Sequence, residues 1–155
     1  MRSFLIALVA LMLALPATAD VAPRDGWSVT PTTKSYADLI DAVKAAAKAN
    51  KMGVVTQAGP TGAAKNRGVI IPGNRVIGLF NNLYAVEVLK LSTAAMIEAP
   101  IRMYVTETAD GSATLSYKTP SFVFAPYIEE AGPDLSRIAA ELDAIFATIA
   151  TEATE

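Results

Sequence analysis

Two clusters of side chains in this sequence are able to hold a polar or flat ligand. Asn74 and Arg75 precede the apolar run VIGLF, and Asn81 and Asn82 follow it, so a strand through that run carries amides and one guanidinium at its two ends. An Arg fork donates paired N–H groups to a carboxylate or phosphate, which makes these four residues a candidate rim for a small anionic or polar ligand. The same asparagines also suit turns, because Asn tolerates positive φ and bonds its own backbone. The second cluster is Arg102, Tyr104 and Tyr117, on either side of the dipeptide Asp110-Gly111. With Asp110 and Gly111 as the two central residues of a tight hairpin turn, Ala109 pairs with Ser112 and, five steps outward, Tyr104 faces Tyr117. That register puts Arg102 and Thr106 on the same face, next to Leu115. A Tyr, Tyr and Arg surface stacks a planar ligand or meets another subunit; ordinary cross-strand pairing on a half-covered sheet accounts for the same residues. Phe122, Phe124 and Tyr127, between two prolines, either close over a pocket, with Tyr127 as its polar member, or cover the sheet edge.

Composition removes most other chemistry. The 155 residues include no Cys and no His, so thiol and Ser/His nucleophiles, thiolate or imidazole zinc sites and His-ligated haem are excluded. Glu98 and Glu107 are the acids nearest the hairpin and lie too far apart in sequence to be argued as a catalytic pair. The acidic run Glu129, Glu130 and Asp134 lacks the alternating carboxylates of a calcium loop. GPTGAAKNRG lacks the Gly-Lys-Ser ending of a phosphate loop. No cofactor and no metal are expected. A formal charge of −2 gives no electrostatic footprint for nucleic acid.

The elements that must position these residues follow from periodicity. Residues 27–33 have the β-branched content of a strand, with Pro31 marking an edge or a bulge. Ser35 is an N-cap with Asp38 three residues on, a variant capping box, and Leu39, Ile40, Val43, Ala46 and Ala47 form a helical stripe through Asn50 that Gly53 stops. Residues 54–58 read as a short strand, 63–66 as one helical turn, and 75–80 as a strand entering the core. Residues 84–96 are helical, carrying Val86, Leu89 and Ala95 and interrupted near Ser92. Strands at 101–108 and 113–118 flank the Asp-Gly turn. Residues 120–128 are an aromatic connection too broken for a strand. Pro133 opens a long helix with a stripe of Leu135, Ile138, Ala139, Leu142, Ile145, Phe146 and Ile149. The fold class is therefore α+β: strand, helix, four strands, helix, an antiparallel sheet with two main helices packed on one face.

Residues 1–19 read as a signal peptide: Arg2, an apolar run over 4–15, Pro16, then Ala17, Thr18 and Ala19. The run is too short for a membrane span, which takes about 20 residues. The expected organisation is a cleaved leader over 1–19, a flexible lead-in over 20–25, one domain over 26–150 and a frayed tail over 151–155. The expected location is periplasmic or secreted, with no membrane association after cleavage.

The stretch VIGLFNNLYAVEVLKLSTAAMIEAPIRMYVTETADGSATLSYKTPSFVFAPY resembles the Domain of Unknown Function 302 family. The likeness rests on Phe80-Asn81-Asn82-Leu83, on Ala99-Pro100 before a strand, on the Asp110-Gly111 hairpin, and on Tyr117 and Pro120 after it. Asn81 stands where that pattern has Gly, and Leu83 where it has Pro. The resemblance implies a strand, helix, four strands, helix arrangement of the kind called TATA-binding-protein-like, often dimeric, and no particular reaction. The function expected is non-catalytic binding of a small molecule or a periplasmic protein partner at the open sheet face. The alternatives are a structural homodimerisation module and a small enzyme using Tyr, Arg and carboxylate groups around Tyr117, Tyr104, Arg102 and Glu107.

Overall fold

The computed structural model describes residues 21–155; the expected signal peptide lies outside the described residues. Strand β1 (Trp27–Ser35) leads into helix α1 (Tyr36–Ala49). The Ser35 hydroxyl accepts from the Asp38 N–H at 3.2 Å and donates to the Asp38 carboxylate at 2.7 Å, so the cap forms where the sequence places it. Leu39, Ile40, Val43, Ala46 and Ala47 are the buried stripe of α1. The helix does not run on to Gly53. Asn50 caps it, Lys51 takes the left-handed conformation at φ 59°, and Gly53 already belongs to strand β2 (Gly53–Ala58).

A short helix α2 (Thr61–Asn66) precedes strand β3 (Asn74–Phe80). Helix α3 (Asn82–Leu91) ends at Ser92, and a 3₁₀ turn over Ala95–Glu98 follows. Its inward residue is Val88. Val86 and Leu89, expected to carry the helix, are exposed, because the face that packs is Tyr84, Val88 and Leu91 at spacings of four and three. Strands β4 (Ile101–Glu107) and β5 (Ser112–Lys118) form the hairpin. The aromatic connection is helical: α4 (Pro120–Phe124), a 3₁₀ turn (Ala125–Tyr127) and α5 (Ile128–Ala131). Thr119 caps α4 by accepting from the Phe122 N–H at 3.3 Å. Helix α6 (Pro133–Thr154) closes the chain. Residues 151–154, expected as a frayed tail, continue α6. Ala153 is fully buried, and the Thr154 carbonyl accepts a hydrogen bond from the Thr32 hydroxyl on β1 at 3.2 Å.

The sheet is antiparallel throughout, in the order β1-β5-β4-β3-β2. Alternation along a strand sends successive side chains to opposite faces. One face carries Ile77, Leu79, Met103, Val105, Ala113, Leu115 and Tyr117, all buried against Leu39, Val43, Leu135, Ile138, Phe146 and Ile149. Both main helices lie on this face, which makes the molecule a two-layer α+β body. No helix among the described residues is long and apolar enough to cross a membrane.

Candidate functional site

The hairpin loop decides which residues share the second face. The Thr108 N–H donates to the Ser112 carbonyl at 2.9 Å, so Ala109, Asp110 and Gly111 form a three-residue loop with Gly111 at φ 84°. A three-residue connection of this kind closes on a residue in the left-handed region, a role that suits Gly. Asp110 locks it: one carboxylate oxygen accepts from the Thr108 hydroxyl at 2.6 Å, the Ser112 N–H at 3.0 Å and the Ser112 hydroxyl at 2.7 Å. These bonds hold its carboxyl down at about 2.

The register is therefore one residue away from that of a two-residue turn. Met103 pairs with Tyr117, and Tyr104 pairs with Ser116. A slip of one residue exchanges faces, so Tyr104 and Tyr117 lie on opposite sides of the sheet, and the expected Tyr–Tyr surface does not exist. Tyr117 packs on Phe146 with ring centroids 5.6 Å apart, and burial pushes its phenol above the ordinary value. Leu115 goes with it into the core. Arg102 and Thr106 stay with Tyr104, as expected.

The asparagine and arginine rim is also not assembled. Asn74 lies on the open face, where its amide donates to the Tyr104 hydroxyl. Arg75, one residue on, faces the helical side, with its Nε buried and unpartnered. Asn81 and Asn82 are at the far end of β3. Asn81 is a capping residue: its Oδ1 accepts from the Leu83 N–H at 2.9 Å and its Nδ2 donates to the Lys51 carbonyl at 3.1 Å. Asn82 opens α3 and is exposed.

What the open face does assemble is read across the strands. Val29, Ser116, Tyr104 and Val76 form one row, and Pro31, Thr114, Thr106 and Asn74 the next. Ser116 and Thr106 are sunk between taller neighbours, each with a hydroxyl that is buried and unpartnered. Towards the end where β5 finishes and β4 begins, the face hollows into a concavity of about 450 Å³. Trp27, Ile101, Arg102, Tyr104 and Lys118 line it, with Asn74 and Val76 from β3, Glu98 and Val123 from the connecting segments, and the largely buried Tyr117. Tyr127 reaches its border through Glu98: the phenol donates to the carboxylate at 2.8 Å, a bond that raises the phenol's pKa. Gly78 makes room on this face, since a Cβ there would lie 2.1 Å from the Thr56 hydroxyl and 2.8 Å from Pro100.

Several lining residues lie outside the clusters read from sequence, Trp27 and Lys118 foremost. Trp27 and Lys118 begin β1 and end β5, and pairing across these strands brings them together. The Lys118 ammonium sits 5.8 Å from the Trp27 ring and 5.9 Å from the Phe122 ring, within cation–π range. Phe122 reaches this position because Gly26 has no side chain: a Cβ there would be 2.1 Å from the Phe122 ring. The signal available was a lone Trp followed by period-two alternation. Among the described residues, no group of three His, Cys, Asp or Glu residues is placed to hold a metal ion.

The profile of a protein family described as Domain of unknown function DUF302 matches residues 28–152. The chain belongs to the DUF302 family. In three dimensions it is similar to an uncharacterized conserved DUF302 protein from Bacillus stearothermophilus, with a TM-score of 0.74 at 16% sequence identity, over 84% of this chain and 99% of that one. At that identity the likeness speaks for the fold. A comparison with curated proteins finds no match. For this DUF302 chain, the expected α+β layering and the family resemblance both hold.

Proposed function

We propose that this DUF302 domain is an exported, non-catalytic binding domain that takes a small molecule into the concavity on its open sheet face. One observation carries the reading. A hollow of about 450 Å³ lies on the face without main helices, and its wall combines aromatic, apolar and charged groups. Ligand sites have this make-up: an apolar lining with a few polar groups that fix orientation. The enzyme alternative is the weaker one: Tyr117 touches the hollow but its ring packs on Phe146, and Glu107 sits at the other end of β4, accepting from the Gly73 N–H at 2.6 Å.

Thermal denaturation against a panel of small metabolites tests the reading. A bound ligand at a hundred times its Kd stabilises by about 2.7 kcal/mol, which moves the melting temperature by several degrees. The shift disappears in Val76→Trp, which fills the hollow from β3. No shift with any compound, or a shift that survives Val76→Trp, counts against it.

A further inference from the structure

The pairing of β4 with β5 places two like charges together. The β4–β5 ladder ends with Met103 opposite Tyr117; one step beyond it, continuing the register, come Arg102 and Lys118, both on the open face and both lining the concavity. Like charges directly opposite on a sheet repel. Among the described residues, the ion pairs involve Lys44 and Arg137; neither Arg102 nor Lys118 has a carboxylate within 4 Å. Lys118 is instead held by the faces of Trp27 and Phe122, and Arg24 lies over Trp27 at 5.0 Å. Three cations thus gather at one corner of a chain whose formal charge is −2. The single carboxylate in the wall, Glu98, accepts the Tyr127 phenol. Arg102 and Lys118 against Glu98 leave the wall with net positive charge, and a concave surface of one net sign concentrates counter-ions.

The remaining wall is of a different kind. Val76, Ile101, Val123 and the Tyr104 ring present apolar surface beside the cations. The hollow is also far larger than an inorganic anion needs. Resting on the reading that the concavity is the binding site, we infer that its ligand is an amphipathic organic anion. Its carboxylate bridges Arg102 and Lys118, and its flat apolar body lies against Tyr104 and Val76. The anion relieves the repulsion across the strands, and the guanidinium supplies a directional fork for it.

Calorimetric titration of the purified protein with naphthoate, naphthamide and inorganic phosphate tests this. Naphthoate is expected to bind about tenfold or more tightly than naphthamide, since a hydrogen bond to a charged group is the stronger kind. Phosphate, which has no apolar body, is expected to bind more weakly than naphthoate. The preference for the acid shrinks as ionic strength rises from about 0.05 to about 0.5 M, and it vanishes in the double variant R102Q/K118Q. Both side chains are exposed, so the variant keeps its fold, checked by circular dichroism. Equal binding of acid and amide overturns the inference, as does a preference that persists in R102Q/K118Q, or phosphate binding as tightly as naphthoate. Val76→Trp separates the two readings. If it abolishes binding of acid and amide alike while the two bind equally well to the unaltered protein, the concavity stands and the anion falls. If it leaves naphthoate binding untouched, the concavity itself is wrong.

Discussion

The two faces of the β4–β5 hairpin are made by the same fourteen residues and have opposite characters. Met103, Val105, Ala113, Leu115 and Tyr117 are sealed under α1 and α6. Arg102, Tyr104, Ser116 and Lys118 face the other way, with two cations unpaired and one hydroxyl unpartnered. One face is built for cohesion, and the other departs from what stability alone asks of a sheet. The difference teaches where to look for function: within this hairpin the unpaired cations and the unpartnered hydroxyls lie on one side, and a hollow lies on that side.

The comparison breaks most sharply in the core. Phe146→Ala removes the ring against Tyr117 and is expected to cost about 3–5 kcal/mol in a chemical denaturation midpoint experiment, whereas Tyr104→Ala, on a half-buried side chain, costs under about 1.5 kcal/mol. Comparable losses would mean that the open face is as much a core as the covered one. The next effect is at the hinge between the faces. A Cβ at Gly111 meets nothing within 4 Å, so Gly111→Ala is expected to cost about 1–2 kcal/mol through its positive φ alone, read from the same denaturation curves.

Smaller effects sharpen the contrast. Thr106→Val removes a buried hydroxyl that has no partner and is expected to be neutral or to stabilise by up to about 1 kcal/mol; a clear loss by calorimetry would mean that the hydroxyl is satisfied. Asp110 has its carboxyl lowered to about 2, so its contribution is present above the unfolded value of about 3.9 and lost as pH falls through about 2. The stability difference between the natural chain and Asp110→Asn is therefore expected to shrink between those two values, and the Asp110 side-chain carbon resonance to titrate near the lower one. The smallest effect is Arg102→Gln, expected to change stability by a few tenths of a kcal/mol, in the stabilising direction, because it ends a like-charge pair.

Much of this architecture was legible from local chemistry. The Ser35 cap, the α1 stripe and the α6 stripe are properties of contiguous residues, and each forms where the pattern puts it. The candidate site was not legible to the same depth. Loop length turned on Asp110 accepting three bonds at once, a detail absent from the dipeptide signal, and one residue of register exchanged Tyr117 for Ser116 beside Tyr104. Asn81 and Asn82 belong to a helix start, so polar type alone misplaced them. Trp27 and Lys118 are 91 positions apart and meet only through the β1–β5 pairing, which no local pattern encodes.

The open face as the working face is tested most directly by nuclear magnetic resonance of the purified protein during a naphthoate titration. The chain has one tryptophan, so the Trp27 indole N–H is a single resolved reporter at the edge of the hollow. The account predicts that this signal moves together with the backbone amides of Val76, Arg102, Tyr104 and Lys118, while those of Leu115, Ile138 and Phe146 hold still. Shifts gathered instead on the exposed apolar side of α3, around Leu83, Val86 and Leu89, with the indole unmoved, would contradict it.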